Sequence, residues 1–265
     1  MNDNDKQKYL EFAKKLALEA GEIMRKYFLA TETTWKGDNT PLTQADTEIN
    51  RLVIERINTA YPGHSILGEE ESDMKEGVFV WVCDPVDGTM PYSHGLPIST
   101  FSLALCEDGV PQVGVVYDPF MERLFYASVG GGAFCNDKKI EVNNLALAES
   151  VIDAEMSQIS LSRHATNLGS HFLESLEKSG AKLVGLWSCI LPTCLVAAGT
   201  FSAVVQNGTA PHDIAASKLI VEEAGGRATD LFGNDQRYDQ PTRGFIASNG
   251  VIHDELVQLV KGASK

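Results

Sequence analysis

Positive charge is scarce in this sequence of 265 residues: 22 Lys and Arg face 36 Asp and Glu, a formal net charge of -14. With no Lys/Arg cluster to offset that balance, a nucleic-acid footprint is excluded. Anionic ligands would be repelled too, unless a bound cation intervened. Cysteine is sparse: Cys83, Cys106, Cys135, Cys189 and Cys194 are odd in number and contain no C-x-x-C pair. Neither a disulfide framework nor a zinc site is indicated, and reduced core residues are expected. The 6 histidines show no H-x-x-x-H pairing. No stretch approaches the roughly 18 apolar residues of a membrane span, and the opening MNDNDKQKYL lacks the apolar segment of a signal peptide. A cytoplasmic protein is expected. The glycine triplet in VGGGAF has no following Gly-Lys-Ser/Thr, so it reads as a bend and not a nucleotide loop.

What is present is periodic. Leu10, Ala13, Ala17, Ala20, Met24 and Tyr27 mark an amphipathic helix over about 5–29. Ile49, Leu52, Val53, Ile57 and Ala60 mark a second, with Thr43 as N-cap and Pro62-Gly63 as its stop. Runs at 101–106, 113–117 and 124–129, divided by turn signals, predict an antiparallel meander. From about Ser150 strands and helices alternate: strand 151–156, helix 165–178, strand 182–187, helix 190–198, strand 201–206, a helix from Asp213, strand 244–247 and a last helix over 251–261. The expectation is one domain of two lobes, an α+β lobe over 1–149 and an α/β lobe over 150–265.

The segment FVWVCDPVDGT is the most informative. Residues 78–83 read as a strand buried on both faces, and Pro85, lacking an N–H, is expected to end it at Asp84. Asp84 and Asp87 are thereby delivered at a strand's carboxyl end, where two like charges repel unless a cation such as Mg2+ lies between them. A turn with both aspartates capping backbone N–H groups explains the same residues. Glu69, after the short run 65–67, reads alone as a solvated acidic loop, Asp213 as a helix N-cap and Asp46 as part of a capping box. Jointly, four segments set an acid where a strand ends or a helix begins, almost without basic neighbours. That pattern favours a shared metal site. No Ser/His/Asp or Cys/His arrangement competes, so metal-activated water is the remaining nucleophile.

The segments GEE, DPVDGT and HDIAASKLIVEEAGG, with K-G-D-x-T-P-L-T-x-A-D over Lys36 to Asp46, resemble the inositol monophosphatase family of Mg2+-dependent, lithium-sensitive phosphatases, related to fructose-1,6-bisphosphatase. The resemblance spans nearly the whole chain in order. It implies a layered αβαβα sandwich, a cytoplasmic homodimer, two or three Mg2+ ions per site and a small soluble phosphate ester as substrate. Residue by residue, it implies that Glu69, Asp84 and the Val86 carbonyl hold one metal, and Asp84, Asp87 and Asp213 a second. Asp46 and Thr89 would orient the attacking water, with Glu69 helping through the metal's water shell. Gly88 and Thr89 would bind phosphate.

Departures fall on the leaving-group half. Gln206 stands where inositol-specific members carry Glu, Trp187-Ser188-Cys189 replaces Gly-Ser/Thr-Ala, His212 replaces Trp, and Pro91-Tyr92 replaces Asn-Phe. Gln206, Trp187, Ser188 and His212 are therefore the candidate substrate-binding residues. Histidinol phosphate, a sugar bisphosphate and a nucleotide 3′-phosphate stay open as substrates. Trp187 reads equally as a stacking platform and as a packed core residue. A regulatory protein that keeps only the fold is the alternative of another class.

Overall fold

The computed structural model describes residues 1–30, 33–37, 40–155 and 169–263. In chain order these form α1 (Asp3–Tyr27), the ribbon strands β1 (Thr34–Trp35) and β2 (Pro41–Leu42), α2 (Gln44–Ala60), β3 (Ser65–Gly68), β4 (Phe79–Asp87) and α3 (Thr89–Ser93). The meander follows as β5 (Thr100–Glu107), β6 (Val110–Asp118), β7 (Arg123–Ser128), β8 (Gly132–Cys135) and β9 (Lys138–Lys139). Then come β10 (Val151–Glu155), α4 (Gly169–Lys178), β11 (Lys182–Val184), α5 (Ile190–Ala197), β12 (Ala203–Gln206), α6 (Pro211–Glu223), β13 (Arg227–Thr229), β14 (Phe245–Ser248) and α7 (His253–Ala263). Residue 156 of one expected strand and 165–168 of one expected helix lie outside the described residues. Among the described residues, no helix is long and apolar enough to cross a membrane.

Two sheets organise the chain. The first has 7 strands in the order β3-β4-β5-β6-β7-β8-β9, parallel only between β3 and β4. The second has 5, ordered β11-β10-β12-β14-β13, with β10 parallel to β11 and β12 and β14 antiparallel to its neighbours. Side-chain alternation explains how β4 can be apolar from Phe79 to Cys83. Trp81 packs with Leu103, Ile49 and Ala13 on the side of α1 and α2, whereas Val80 and Val82 pack with Ile190, Ile214 and Ile220 of α5 and α6. The far side of α5 and α6 meets Val204, Phe245 and Ala247 of the second sheet. That sheet's other face, through Ile152, Val205 and Ile246, packs on Phe172 and Leu176 of α4 and Leu256 and Val260 of α7. The layers run αβαβα.

Two expectations are corrected. The strand does not stop before Pro85: β4 continues to Asp87, with Asp84 opposite Ser102 and Asp87 opposite Thr100, so two residues face the single Phe101. A bulge accommodates the missing N–H of proline without ending the strand. The helix starting at Asp213 begins instead at Pro211, which makes Asp213 its third residue and Ala210 the cap. In addition, α6 has no exposed stripe: every residue from Ile214 to Val221 is buried, because the helix lies between two sheets. Its approach to β6 is close enough that a side chain on Gly114 would strike the Ala216 backbone.

Candidate active site

The bulge is what brings the two aspartates together. At i,i+3 in a regular strand they would project from opposite faces, and one extra residue restores them to the same side. Asp84 and Asp87 are both buried. In the parallel register, Gly68 pairs with Cys83, and the Glu69 N–H donates to the Cys83 carbonyl at 3.1 Å, which sets Glu69 beside Asp84. Burial drives the Asp84 carboxyl well above its ordinary range, and the charges of Glu69, Asp87, Asp213 and Asp46 push it further. Four acids from four segments therefore bear on this one carboxyl.

Each also has protein partners. Asp84 Oδ1 accepts the Val86 N–H at 3.0 Å, the turn-capping contact. Asp87 sits at the N-terminus of α5: its Oδ1 accepts from Cys189 N at 2.9 Å, and its Oδ2 from Ile190 N at 3.2 Å, Thr100 Oγ1 at 3.2 Å and the Ser188 hydroxyl. Burial raises Asp87 to about 6 against those stabilising hydrogen bonds, with Asp213 adding to the rise. Asp213 accepts from the Ala210 N–H and lies 3.6 Å from His212 Nε2; its carboxyl is raised by burial, with His212 opposing.

Asp46 serves its helix and the site at once. Its Oδ2 accepts the Thr43 N–H at 2.8 Å and the Thr43 hydroxyl, while its Oδ1 lies 3.4 Å from Thr89 Oγ1. Thr89 Oγ1 is closer to the Val86 carbonyl, at 2.9 Å. Burial lifts Asp46 to about 7, although the Thr43 bonds work against it and Glu69 and Glu70 with it. Gly88, left-handed with φ 76°, turns the chain into α3 at Thr89, and a side chain there would crowd Pro91 and Ser188.

Lys36, on the ribbon turn, places its Nζ 3.0 Å from Glu69 Oε1 and 2.6 Å from Glu70 Oε1. Burial opposes its charge, but the two carboxylates outweigh burial and hold the ammonium above its usual range. Among the described residues, no three His, Cys, Asp or Glu side chains are gathered closely enough to hold an ion as they stand. The hydrogen bonds explain it, since each carboxylate is turned toward a protein group. The donor set nevertheless fits a hard cation: it is all oxygen and mutually repelling, and the Lys36 ammonium already bridges one of its acids, Glu69, to Glu70.

The leaving-group residues are less uniform. Ser188 binds Asp87. Trp187 is no core residue: it is 46% exposed, at a left-handed φ of 55°. A glycine adopts that backbone freely and a bulky residue at a cost. Gln206 is buried and donates from Nε2 to Asp153 Oδ1 at 3.1 Å, while Asp153 Oδ2 accepts the Leu186 N–H at 3.0 Å. Sequence reasoning missed Asp153, because a single acid inside a strand-like run carries no motif. It also passed over Glu70 and Lys36 as site members, though both stand inside the segments that carried the resemblance.

The sequence profile of the inositol monophosphatase family matches residues 5–265. A Thermotoga maritima protein named fructose-1,6-bisphosphatase/inositol-1-monophosphatase is 33% identical, over 95% of both chains. A Chlorobaculum parvum histidinol-phosphatase is 30% identical, over 95% of this chain and 96% of its own. The solved structure of the Thermotoga maritima IMPase superposes with a TM-score of 0.86, covering 97% of this chain and 98% of that one. The inositol monophosphatase from Anabaena does so at 0.82, with 30% identity and coverage of 97% and 96%. The acids gathered at the bulge of β4 thus belong to a chain that is a member of the inositol monophosphatase family, metal-dependent hydrolases of small phosphate monoesters.

Proposed function

We propose that this chain is a Mg2+-dependent phosphomonoesterase, cytoplasmic and homodimeric, sensitive to lithium, and loaded with two or three ions through Glu69, Asp84, Asp87, Asp213 and the Val86 carbonyl. The observation that carries the reading is Asp84: a carboxylate buried at a strand bulge, pushed toward its neutral form by four other acids. Nothing is gained in stability from such a cluster unless a cation joins it. Bound divalent ions supply Lewis acidity, activating water and offsetting charge on phosphoryl oxygens.

The chain's own residues do the rest. Thr89 Oγ1, poised between the Val86 carbonyl and Asp46, is a hydroxyl that can accept from a water and pass its own proton to Asp46 Oδ1. Gly88 and Thr89 present N–H groups at the start of α3 toward phosphate oxygens. Trp187, Ser188, His212 and Gln206 border the alcohol. The relatives' names cover inositol phosphate, fructose bisphosphate and histidinol phosphate at similar identity, so they do not choose among substrates. Hydrolysis of 4-nitrophenyl phosphate after chelation, and again with Mg2+, tests the reading. Turnover that ignores the chelator, or no turnover of any ester, would refute it.

A further inference from the structure

Most histidines among the described residues are engaged away from the acids: His64 accepts the Trp81 indole N–H, His94 bonds the Met90 carbonyl, and His253 lies between Thr229 and Ser248. His171 is exposed beside Glu174. His212 is different. It is the second residue of α6, partly exposed, and its Nε2 stands 3.6 Å from Asp213 Oδ1. That gap is longer than the ~2.7–3.2 Å of an N–H···O hydrogen bond. The other Asp213 oxygen already takes the Ala210 N–H, so Oδ1 is the one that meets the ring. His212 also acts on Glu70: burial raises that carboxyl, and the charges of Lys36 and His212 oppose the rise. One imidazole thus stands within electrostatic range of acids from two segments.

Two donors bonded to one ion at ~2.1 Å are at most ~4.2 Å apart. The 3.6 Å between Nε2 and Oδ1 lies inside that limit, so the pair can share a cation as it stands. The tryptophan that His212 replaces could not do this, because an indole N–H only donates. A neutral imidazole with its proton on Nδ1 offers a lone pair at Nε2, the kind of ligand that first-row transition ions take and Mg2+ leaves for oxygen. We propose that His212 Nε2 is a ligand to the ion held by Asp213, and that this position takes a first-row transition dication in preference to Mg2+. The proposal rests on the phosphomonoesterase reading and narrows its metal. The position formed by Glu69, Asp84 and the Val86 carbonyl offers oxygen alone and suits Mg2+, whereas the Asp213 position mixes nitrogen with oxygen.

The test loads the metal-free chain with Mn2+, a paramagnetic ion that accepts both oxygen and nitrogen ligands, and reads the electron spin-echo modulation of a directly bonded nitrogen. The parent should show that modulation and His212→Trp should not. By calorimetry, His212→Trp should lower the Mn2+ affinity of one site at least tenfold while Mg2+ affinity changes less than threefold. Should His212→Trp fail to fold, His212→Phe carries the same expectation, since neither ring offers a lone pair. A parent that binds no Mn2+, or binds it without nitrogen modulation, would overturn the proposal. So would modulation that persists in the variant, or equal losses for the two ions, which would leave His212 a neighbour acting by charge or packing. A chain that binds Mn2+ through this nitrogen yet hydrolyses no ester would uphold the ligand and refute the phosphomonoesterase reading, so the two failures are distinguishable.

Discussion

Asp118 and Asp84 are both buried aspartates toward the ends of strands in the same sheet, and they have opposite company. Asp118 Oδ2 accepts from Arg123 Nε and Nη2, at 3.0 and 2.7 Å, and its Oδ1 accepts from the N–H groups of Phe120 and Met121. Asp230 repeats the pattern with Arg243, Phe232 and Asn234. In those places the fold supplies the countercharge itself, and the acid fastens a turn. Around Asp84 the charges that act on it are acids, and the ammonium of Lys36 is spent on Glu69 and Glu70. A buried carboxylate is thus uninformative alone. What distinguishes a site from a staple is whether the countercharge comes from within the chain.

The sharpest way to break this comparison is to neutralise one member of each kind. Asp84→Asn and Asp213→Asn should each lower turnover by more than the ~10–100-fold typical of residues behind the ligands, whereas Asp118→Asn should leave turnover per folded molecule intact. Stability should move the other way. Asp118→Asn strands part of Arg123 and should cost on the order of 3 kcal/mol. Asp84→Asn keeps an acceptor for the Val86 N–H and relieves repulsion, so without metal it should melt no earlier than the parent. Asp87→Asn is a poorer probe, because both of its oxygens already accept hydrogen bonds at the start of α5. Steady-state rates beside urea midpoints decide; a D213N protein with near-normal turnover would end the two-metal assignment.

A second experiment asks whether Asp46 belongs with the staples or with the site, since it has a foot in each. Asn caps a helix about as well as Asp, so Asp46→Asn should change stability by no more than about 1 kcal/mol. If the carboxylate takes the proton relayed by Thr89, turnover should drop ~10²-fold or more, and Thr89→Ala should match it. Asp46→Asn and Thr89→Ala proteins that are both stable and fully active would leave Asp46 a capping residue.

Acid should separate the two kinds of buried group by sign. In the metal-free protein Asp46, near 7, and Asp87, near 6, bind a proton that the unfolded chain releases until about 4. Their contribution is fully present below pH 4 and lost as pH rises through 6 to 7, so stability should increase as pH falls across that window. His253, held between Thr229 and Ser248 and lowered by burial to about 4, works oppositely: its contribution is present above about 6.5 and lost as pH falls toward 4. Two carboxyls should outweigh one imidazole between pH 7.5 and 5.5. With saturating Mg2+ the slope should reverse, because ligation needs the ionised acids. Urea midpoints that fall steadily on acidification of the metal-free protein would contradict the assignment.

How much of this was legible beforehand follows from which interactions are local. The α1 stripe, the Thr43 cap and the meander rest on periodicity and turn chemistry within a few residues, and the structure reproduces them. Asp84, Asp87 and Glu69 were readable as acids at strand ends. The bulge at Pro85 was not, because proline looks like a stop until a neighbouring strand is there to bulge against. Nor could α6 reveal that both of its sides would be covered. Gln206 misled most: its facing Asp153 depends on the pairing of β10 with β12, 53 residues apart. Gln206→Glu, which restores the residue of the inositol-specific members, would set a second carboxylate against Asp153.

The smallest expected effect concerns Trp187, which the same long-range geometry explains. The Leu186 N–H is held by Asp153, and Ser188 and Cys189 by Asp87, so the residue between them is fixed in a left-handed conformation from both sides. That backbone costs a bulky side chain roughly 1–2 kcal/mol, and the indole, nearly half exposed, recovers little by packing. Trp187→Gly removes the strain and adds freedom to the unfolded chain, an opposing term of about 0.5–1 kcal/mol. The net change in stability should stay within about 1 kcal/mol in either direction. A glycine so well tolerated in the fold makes the indole's role one of contact and not of architecture. KM for an aryl phosphate should therefore rise with the loss of a stacking surface while the melting temperature stays put. A drop of several degrees with KM unchanged would return Trp187 to the structural residues.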